Sequence, residues 1–271
     1  MADAPKPVTT LGVVAMKAKG ERIVMLTCYD ALFARLLDAS GVDILLVGDS
    51  VNEVLAGQPS TLSATLDQMI YHTSMVRRGT QHALVVCDMP FLTYQVSTEE
   101  ALRNCGRVMA KTGCHAVKLE GGRPVAATVR ALVDIGIPVM GHLGLTPQSV
   151  HALGGHRVQG RDDKSAARLH DDAKALEDAG AFAIVLELVP APLAAEISKS
   201  LTIPTIGIGA GPGCDGQVLV LPDMLGLNDR FNAKFVKKYG DLAGQVRDAV
   251  TRFAGEVRSG KYPDADHSFQ Q

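Results

Sequence analysis

Short apolar runs recur along this chain, and an ionisable residue stands at the exit of almost every one. Residues 44–47 lead into Gly48-Asp49-Ser50, residues 83–86 into Cys87-Asp88, and Ala116-Val117 into Lys118-Leu119-Glu120. Further on, residues 137–140 lead into Gly141-His142 and residues 183–186 into Glu187. Each run has the length of a buried strand, and most follow a helix-like stretch that closes on a glycine. That repeat points to a parallel α/β protein whose strand carboxyl ends gather polar residues on one face. A solvated loop start accounts for any one of these residues taken singly. Five on successive strands point to a site.

The repeated unit can be traced through most of the chain. Asp30 can cap a helix that carries Leu32, Phe33, Leu36 and Leu37 at helical spacing before Gly41. Ser97-Thr98-Glu99-Glu100 is a capping box, opening a helix with Leu102, Cys105 and Met109 inward that stops at Gly113. Residues 124–134 and 165–179 repeat the form and end at Gly136 and Gly180. Strands are expected near 23–28, 44–48, 83–88, 115–120, 137–142, 182–187, 204–208 and 217–221. Eight alternating units favour a (β/α)8 barrel over an open doubly wound sheet. Residues 231–257 read as a helix with a frayed tail beyond. No composition break divides the chain, so one barrel domain over residues 1–271, with an N-terminal helix and a short tail, is expected.

Composition narrows the class. Hydrophobic residues make up 46% of the chain and aromatics 4%, an aliphatic interior that suits a buried parallel sheet. The 27 basic and 29 acidic residues leave a formal charge of -2, which offers no field for nucleic acid. Five cysteines without a C-x-x-C pair read as buried free thiols in a reducing compartment. Residues 1–10 lack an apolar signal core, and no apolar stretch is long enough for a bilayer. A cytoplasmic protein without a membrane partner is expected.

The chemistry gathers at the strand ends. Asp49, Asp88 and Glu120 leave three consecutive strands, and close carboxylates repel unless a cation sits among them or some are protonated. Hard oxygen ligands with no neighbouring cysteine or second histidine favour Mg²⁺, with Mn²⁺ or Co²⁺ as substitutes. A 2-oxo acid can chelate such an ion, which then stabilises enolate charge. Lys118 and Glu120 are two apart on one strand and share a face. Lys118 suits a substrate carboxylate or oxyanion; the alternative is a Schiff-base nucleophile. Glu187 lies among Leu186, Leu188 and Val189, where partial desolvation suits a general base. Its other reading is a buried glutamate paired with arginine or lysine. His142 can orient a ligand, bind metal or serve the core.

Two connections, residues 51–63 and 143–163, are too long for simple turns and read as lids or binding loops. The second carries Gly154-Gly155-His156-Arg157 and Gly160-Arg161, a basic segment able to close over an anion. Residues 207–213 are glycine-rich, but Pro212 and Asp215-Gly216 interrupt the helix that a dinucleotide fingerprint needs. A phosphate or substrate-approach loop is the better reading.

The strings Val47-Gly48-Asp49-Ser50, Val117-Lys118-Leu119-Glu120-Gly121-Gly122 and Gly141-His142-Leu143-Gly144-Leu145-Thr146-Pro147-Gln148-Ser149 closely resemble the ketopantoate hydroxymethyltransferase family. So do Gly154-Gly155-His156-Arg157-Val158-Gln159-Gly160-Arg161, Leu186-Glu187-Leu188-Val189-Pro190 and Gly207-Ile208-Gly209-Ala210-Gly211. The resemblance runs from about residue 17 to 269. It implies a (β/α)8 barrel of the phosphoenolpyruvate mutase/isocitrate lyase-like type, often assembled as a homodecamer. The activity it implies is hydroxymethyl transfer from 5,10-methylenetetrahydrofolate to 3-methyl-2-oxobutanoate, giving 2-dehydropantoate, the first committed step of pantothenate synthesis. On the matching motifs, Asp49, Asp88 and Glu120 would hold Mg²⁺. Ser50 and Lys118, with the two aspartates, would bind the oxo acid, and Glu187 would accept the proton; His142, from its place at a strand end, is a further substrate-binding candidate. A lyase of the related superfamily would need a catalytic cysteine in a Lys-Lys/Arg-Cys-Gly-His-type loop, which this chain lacks. A non-catalytic metabolite-binding barrel would be marked by loss of one of these acids, and all are present.

Overall fold

In a computed structural model of the chain, residues 6–269 are described; residues 1–5 and 270–271, the two ends of the expected domain, lie outside the described residues. Eight parallel strands close into a barrel in chain order, with β8 pairing back onto β1. The order is α1 (Thr10–Lys19), β1 (Ile23–Thr27), α2 (Ala31–Ala39), β2 (Ile44–Val47), α3 (Val51–Val54) and α4 (Leu66–Gly79). Next come β3 (Leu84–Asp88), α5 (Thr98–Thr112), β4 (Ala116–Glu120), α6 (Arg123–Asp134) and β5 (Val139–Gly144). Then α7 (Asp163–Asp178), β6 (Ala183–Glu187), α8 (Ala191–Ser200), β7 (Thr205–Ile208) and β8 (Gly216–Leu219) complete the barrel. Finally α9 (Leu221–Met224) and α10 (Leu242–Arg258) follow. The chain divides into two compact units: Met1–Val220, which holds the barrel, and Leu221–Gln271, which holds α9 and α10.

Local chemistry accounts for these elements. Strands β2, β3 and β4 are buried along their whole length, because one side of a barrel strand meets the packed interior and the other the helices. The Asp30 side chain accepts from the backbone N–H groups of Leu32 and Phe33 and starts α2. Ser97 does the same for α5 through Glu100, and Gly113 ends that helix in the left-handed conformation a side chain would resist. The fifth strand begins later than expected. Pro138 has no N–H to give the ladder, so β5 starts at Val139 and runs on to Gly144.

One further expectation is corrected. The C-terminal helix starts at Leu242, not near residue 231. Gly240 weakens any helix through it, and the Asp241 side chain accepts from Gly244 N–H, so a new helix opens there. The glycines after β7 also have a packing reason. A Cβ on Gly211 would lie 2.3 Å from Ala191 Cβ, and one on Gly213 would lie 2.5 Å from Ala195 Cβ. They let the β7–β8 connection press onto α8.

Both long connections carry structure. A 3₁₀ turn at Thr61–Ser63 packs against a second at Pro147–Ser149. All five cysteines are free and buried. Among the described residues no helix is long and apolar enough to cross a membrane.

Candidate active site

Parallel register sets the polar strand-end residues at matching heights. Asp88 pairs with Lys118 across β3 and β4, Glu120 with His142 across β4 and β5, and Gly144 with Glu187 across β5 and β6. Partners in register point to the same side of a sheet, so residues far apart in sequence converge. Gly144 allows the last pairing. Its φ is +91°, and a Cβ there would lie 2.1 Å from the Glu187 carbonyl oxygen. Leu188, just beyond Glu187, takes φ +46°, a conformation rare for a branched side chain and one that turns the chain sharply after the carboxylate.

The side chains form one connected network. Lys118 Nζ lies 2.7 Å from Asp88 Oδ1 and 3.1 Å from His142 Nδ1. His142 Nδ1 is also 3.3 Å from Glu120 Oε1, while its Nε2 is 3.1 Å from Glu187 Oε2. A neutral ring accepts from Lys118 at Nδ1; a protonated one donates to Glu120. Its Nε2 approaches Glu187 out of line for a hydrogen bond and has no hydrogen-bond partner among the described residues. Glu187 therefore faces a histidine, not the arginine or lysine of its structural reading.

Gln148 and Tyr94 complete the network, and strand-end patterning missed both. Gln148 Nε2 donates to Asp49 Oδ2 and to the Met89 carbonyl, each at 2.9 Å. Its backbone N–H donates to Glu120 Oε2 at 3.0 Å. Tyr94 Oη donates to Gln148 Oε1 at 2.8 Å. Gln148 lies inside one of the family-like strings, which is the signal the sequence offered for it. Ser50 stands apart from this web and meets the Tyr29 hydroxyl at 2.8 Å. Next to it, Gly48 keeps the turn clear, since a Cβ there would lie 2.8 Å from Ser50 Oγ.

Electrostatics follow from burial. Asp49 is held well above the usual carboxylate range by burial and by the nearby charges of Asp88 and Glu120. Burial also raises Asp88, against the pull of Lys118. Burial opposes the Lys118 ammonium, yet Asp88, Glu120 and Asp49 outweigh it and raise its pKa. Burial and Lys118 likewise oppose charge on His142, but the close carboxylates of Glu120 and Glu187 lift it to about 9. The site has more carboxylate than its own cations compensate. Among the described residues no three acids, histidines or cysteines form a ready-made metal cage. The donor set of Asp49, Asp88 and Glu120 is nonetheless all hard oxygen, and the raised aspartates are the mark of an acid cluster that a divalent cation would relieve.

Comparison with known proteins agrees with this architecture. The profile of the family described as Ketopantoate hydroxymethyltransferase matches residues 7–265. The 3-methyl-2-oxobutanoate hydroxymethyltransferase of Syntrophus aciditrophicus (strain SB) is 56% identical over 264 residues, 97% of each chain. That of Pelobacter propionicus (strain DSM 2379 / NBRC 103807 / OttBd1) is 55% identical over 269 residues, 99% of this chain and 100% of its own. Among solved structures, 2,3-dimethylmalate lyase, a PEP mutase/isocitrate lyase superfamily member, superposes with a TM-score of 0.61 at 19% identity, covering 96% of this chain and 92% of its own. A phosphonopyruvate hydrolase complex with oxalate and Mg++ gives 0.62 at 12% identity, covering 97% and 91%. At those identities the likeness is one of fold.

Proposed function

The chain belongs to the ketopantoate hydroxymethyltransferase family, and we propose that it moves a hydroxymethyl group from 5,10-methylenetetrahydrofolate to 3-methyl-2-oxobutanoate. The products are 2-dehydropantoate and tetrahydrofolate, with water supplying the hydroxyl oxygen. The observation that carries the site assignment is the run of contacts from Glu187 through His142 to Lys118 and Glu120.

Asp49, Asp88 and Glu120 are the residues that would hold Mg²⁺, which when bound supplies a Lewis acid for charge developing on the keto oxygen. Lys118 keeps an ammonium beside Asp88 and serves the substrate carboxylate or oxyanion by charge, not as a Schiff-base amine. Ser50, fixed by Tyr29, offers a hydroxyl beside Asp49 for the same substrate. Glu187 is the general base: its carboxylate takes the C3 proton, and the electron pair of that bond becomes the nucleophile for the donor's one-carbon unit, whose two bonds to folate nitrogen are replaced by this C–C bond and by a bond to the oxygen of water. His142 Nε2, 3.1 Å from Glu187 Oε2, steadies that carboxylate, while Nδ1 communicates with Lys118 and Glu120. The exposed apolar positions Val246, Val250, Phe253 and Val257 of α10 support self-association, of which a homodecamer is the form the family resemblance implies.

Purified protein supplied with Mg²⁺, 3-methyl-2-oxobutanoate and 5,10-methylenetetrahydrofolate is expected to form 2-dehydropantoate. Absence of that product with both substrates present would refute the activity.

A further inference from the structure

The ladder between β3 and β4 stops short just where the acids stand. Asp88 and Lys118 are its last paired residues, and Met89 N–H still donates to the Lys118 carbonyl at 3.0 Å. In a parallel pair the next bond would run from Glu120 N–H to the Met89 carbonyl. Both groups go to side chains. Glu120 N–H donates to Tyr94 Oη at 3.0 Å, and the Met89 carbonyl accepts from Gln148 Nε2 at 2.9 Å. Tyr94 Oη and Gln148 Oε1 then meet at 2.8 Å. Two side chains thus stand in the place of one backbone hydrogen bond, between the strand ends that carry Asp88 and Glu120.

The direction of each bond in this bridge is fixed. Tyr94 is 2% exposed, so its hydroxyl must find partners within the protein. It accepts from Glu120 N–H and has one proton to give. Gln148 Oε1 at 2.8 Å is nearer than the Glu120 carbonyl at 3.2 Å and takes that proton. An amide that accepts at its oxygen here must present its NH₂ on the other side, to the Met89 carbonyl and to Asp49 Oδ2. Turned over, it would set oxygen against a carboxylate and a carbonyl. The backbone N–H of Gln148 meanwhile holds Glu120 Oε2 at 3.0 Å. Through Gln148, then, Tyr94 reaches acids from both β2 and β4.

We propose that Tyr94 is a positioning residue for the divalent-cation site: its hydroxyl sets the Gln148 amide, keeps the tips of β3 and β4 apart, and so fixes how Asp49 and Glu120 face the ion. Loss of the hydroxyl frees Glu120 N–H to bond the Met89 carbonyl directly. That takes an acceptor from Gln148 and removes the partner that holds its amide in one orientation. Orienting a metal ligand in this way is worth roughly ten- to a hundredfold in metal affinity. The role rests on the metal-site reading above.

Tyr94→Phe keeps the ring and removes only the hydroxyl. This variant, Gln148→Ala and the double variant are compared in the full-length protein by calorimetric titration with Mg²⁺ alone, without substrate. Tyr94→Phe is expected to raise the Mg²⁺ Kd by roughly tenfold, and excess Mg²⁺ to recover most of kcat. Because the tyrosine acts through Gln148, its effect should shrink or vanish where Gln148 is already alanine, since members of one network are not additive. A parental Mg²⁺ Kd in Tyr94→Phe would overturn the proposal. So would full multiplication of the two single effects in the double variant, the result a merely structural role for the tyrosine gives. A parent protein that binds no Mg²⁺ would instead refute the metal site itself, and this role with it.

Discussion

Lys118 is buried inside the barrel yet keeps its proton, because Asp88, Glu120 and Asp49 surround it. Its partner geometry is that of a fixed charge: 2.7 Å to Asp88 and 3.1 Å to His142. Lys118→Met is expected to raise the KM for the oxo acid and to lower kcat, since both ground-state and enolate contacts are lost. Borohydride treatment of the parent with substrate should leave Lys118 unmodified by mass spectrometry; a trapped adduct there would restore the Schiff-base reading. Gln148 acts through its neighbours. Its carbonyl accepts from Tyr94 and Gln95 while its amide donates to Asp49 and Met89, so it can hold Asp49 in only one orientation. Gln148→Ala is expected to raise the Mg²⁺ concentration needed for half-maximal activity by roughly ten- to a hundredfold, the usual cost of losing a group that orients a metal ligand. Saturating Mg²⁺ should recover most of kcat. A parental metal titration would remove Gln148 from that role.

Between elements, the connections are held by groups that strand patterning cannot reveal. Glu177, near the end of α7, accepts from Thr202 N–H at 2.6 Å, Thr202 Oγ1 at 2.8 Å and Ile203 N–H at 3.3 Å. It thereby ties α7 to the chain entering β7. Burial pushes this carboxyl upward, but hydrogen bonds from Lys174, Thr202 and Ile203 outweigh that and hold it at about 2, below its ordinary 4.5. A depressed carboxyl stabilises the fold fully above its unfolded value, and that contribution fades as pH falls through the folded one. Glu177→Gln should therefore unfold at a lower temperature than the parent near neutral pH. The gap should narrow as pH drops from about 4.5 toward 2. A gap that stays constant through that window would mean the carboxylate charge contributes nothing.

Across the whole molecule, what the sequence made legible was the periodic part. Each apolar run became a strand in the expected order, because a strand buried on both faces can tolerate little else. Asp49, Asp88, Lys118, Glu120, His142 and Glu187 stood out for the same reason: charge is conspicuous at the end of such a run. The meeting of His142 with Glu187 was not legible, since it depends on the β5–β6 register, which Pro138 and Gly144 adjust. Gln148 and Tyr94 come from connections with no period to read. The helix start at Leu242 was hidden because an N-cap inside a helical-looking stretch changes no composition. The central claim, that this barrel mouth makes a carbon nucleophile with Glu187 as base, has a direct measurement. With Mg²⁺ and 3-methyl-2-oxobutanoate in D₂O and no folate, proton NMR should show the parent exchanging the C3 proton. Glu187→Gln keeps the size but cannot take the proton, so exchange should fall by roughly 10²–10⁴-fold, the span typical of a lost general base, while the oxo acid still binds. Exchange at the parental rate in Glu187→Gln would contradict the account.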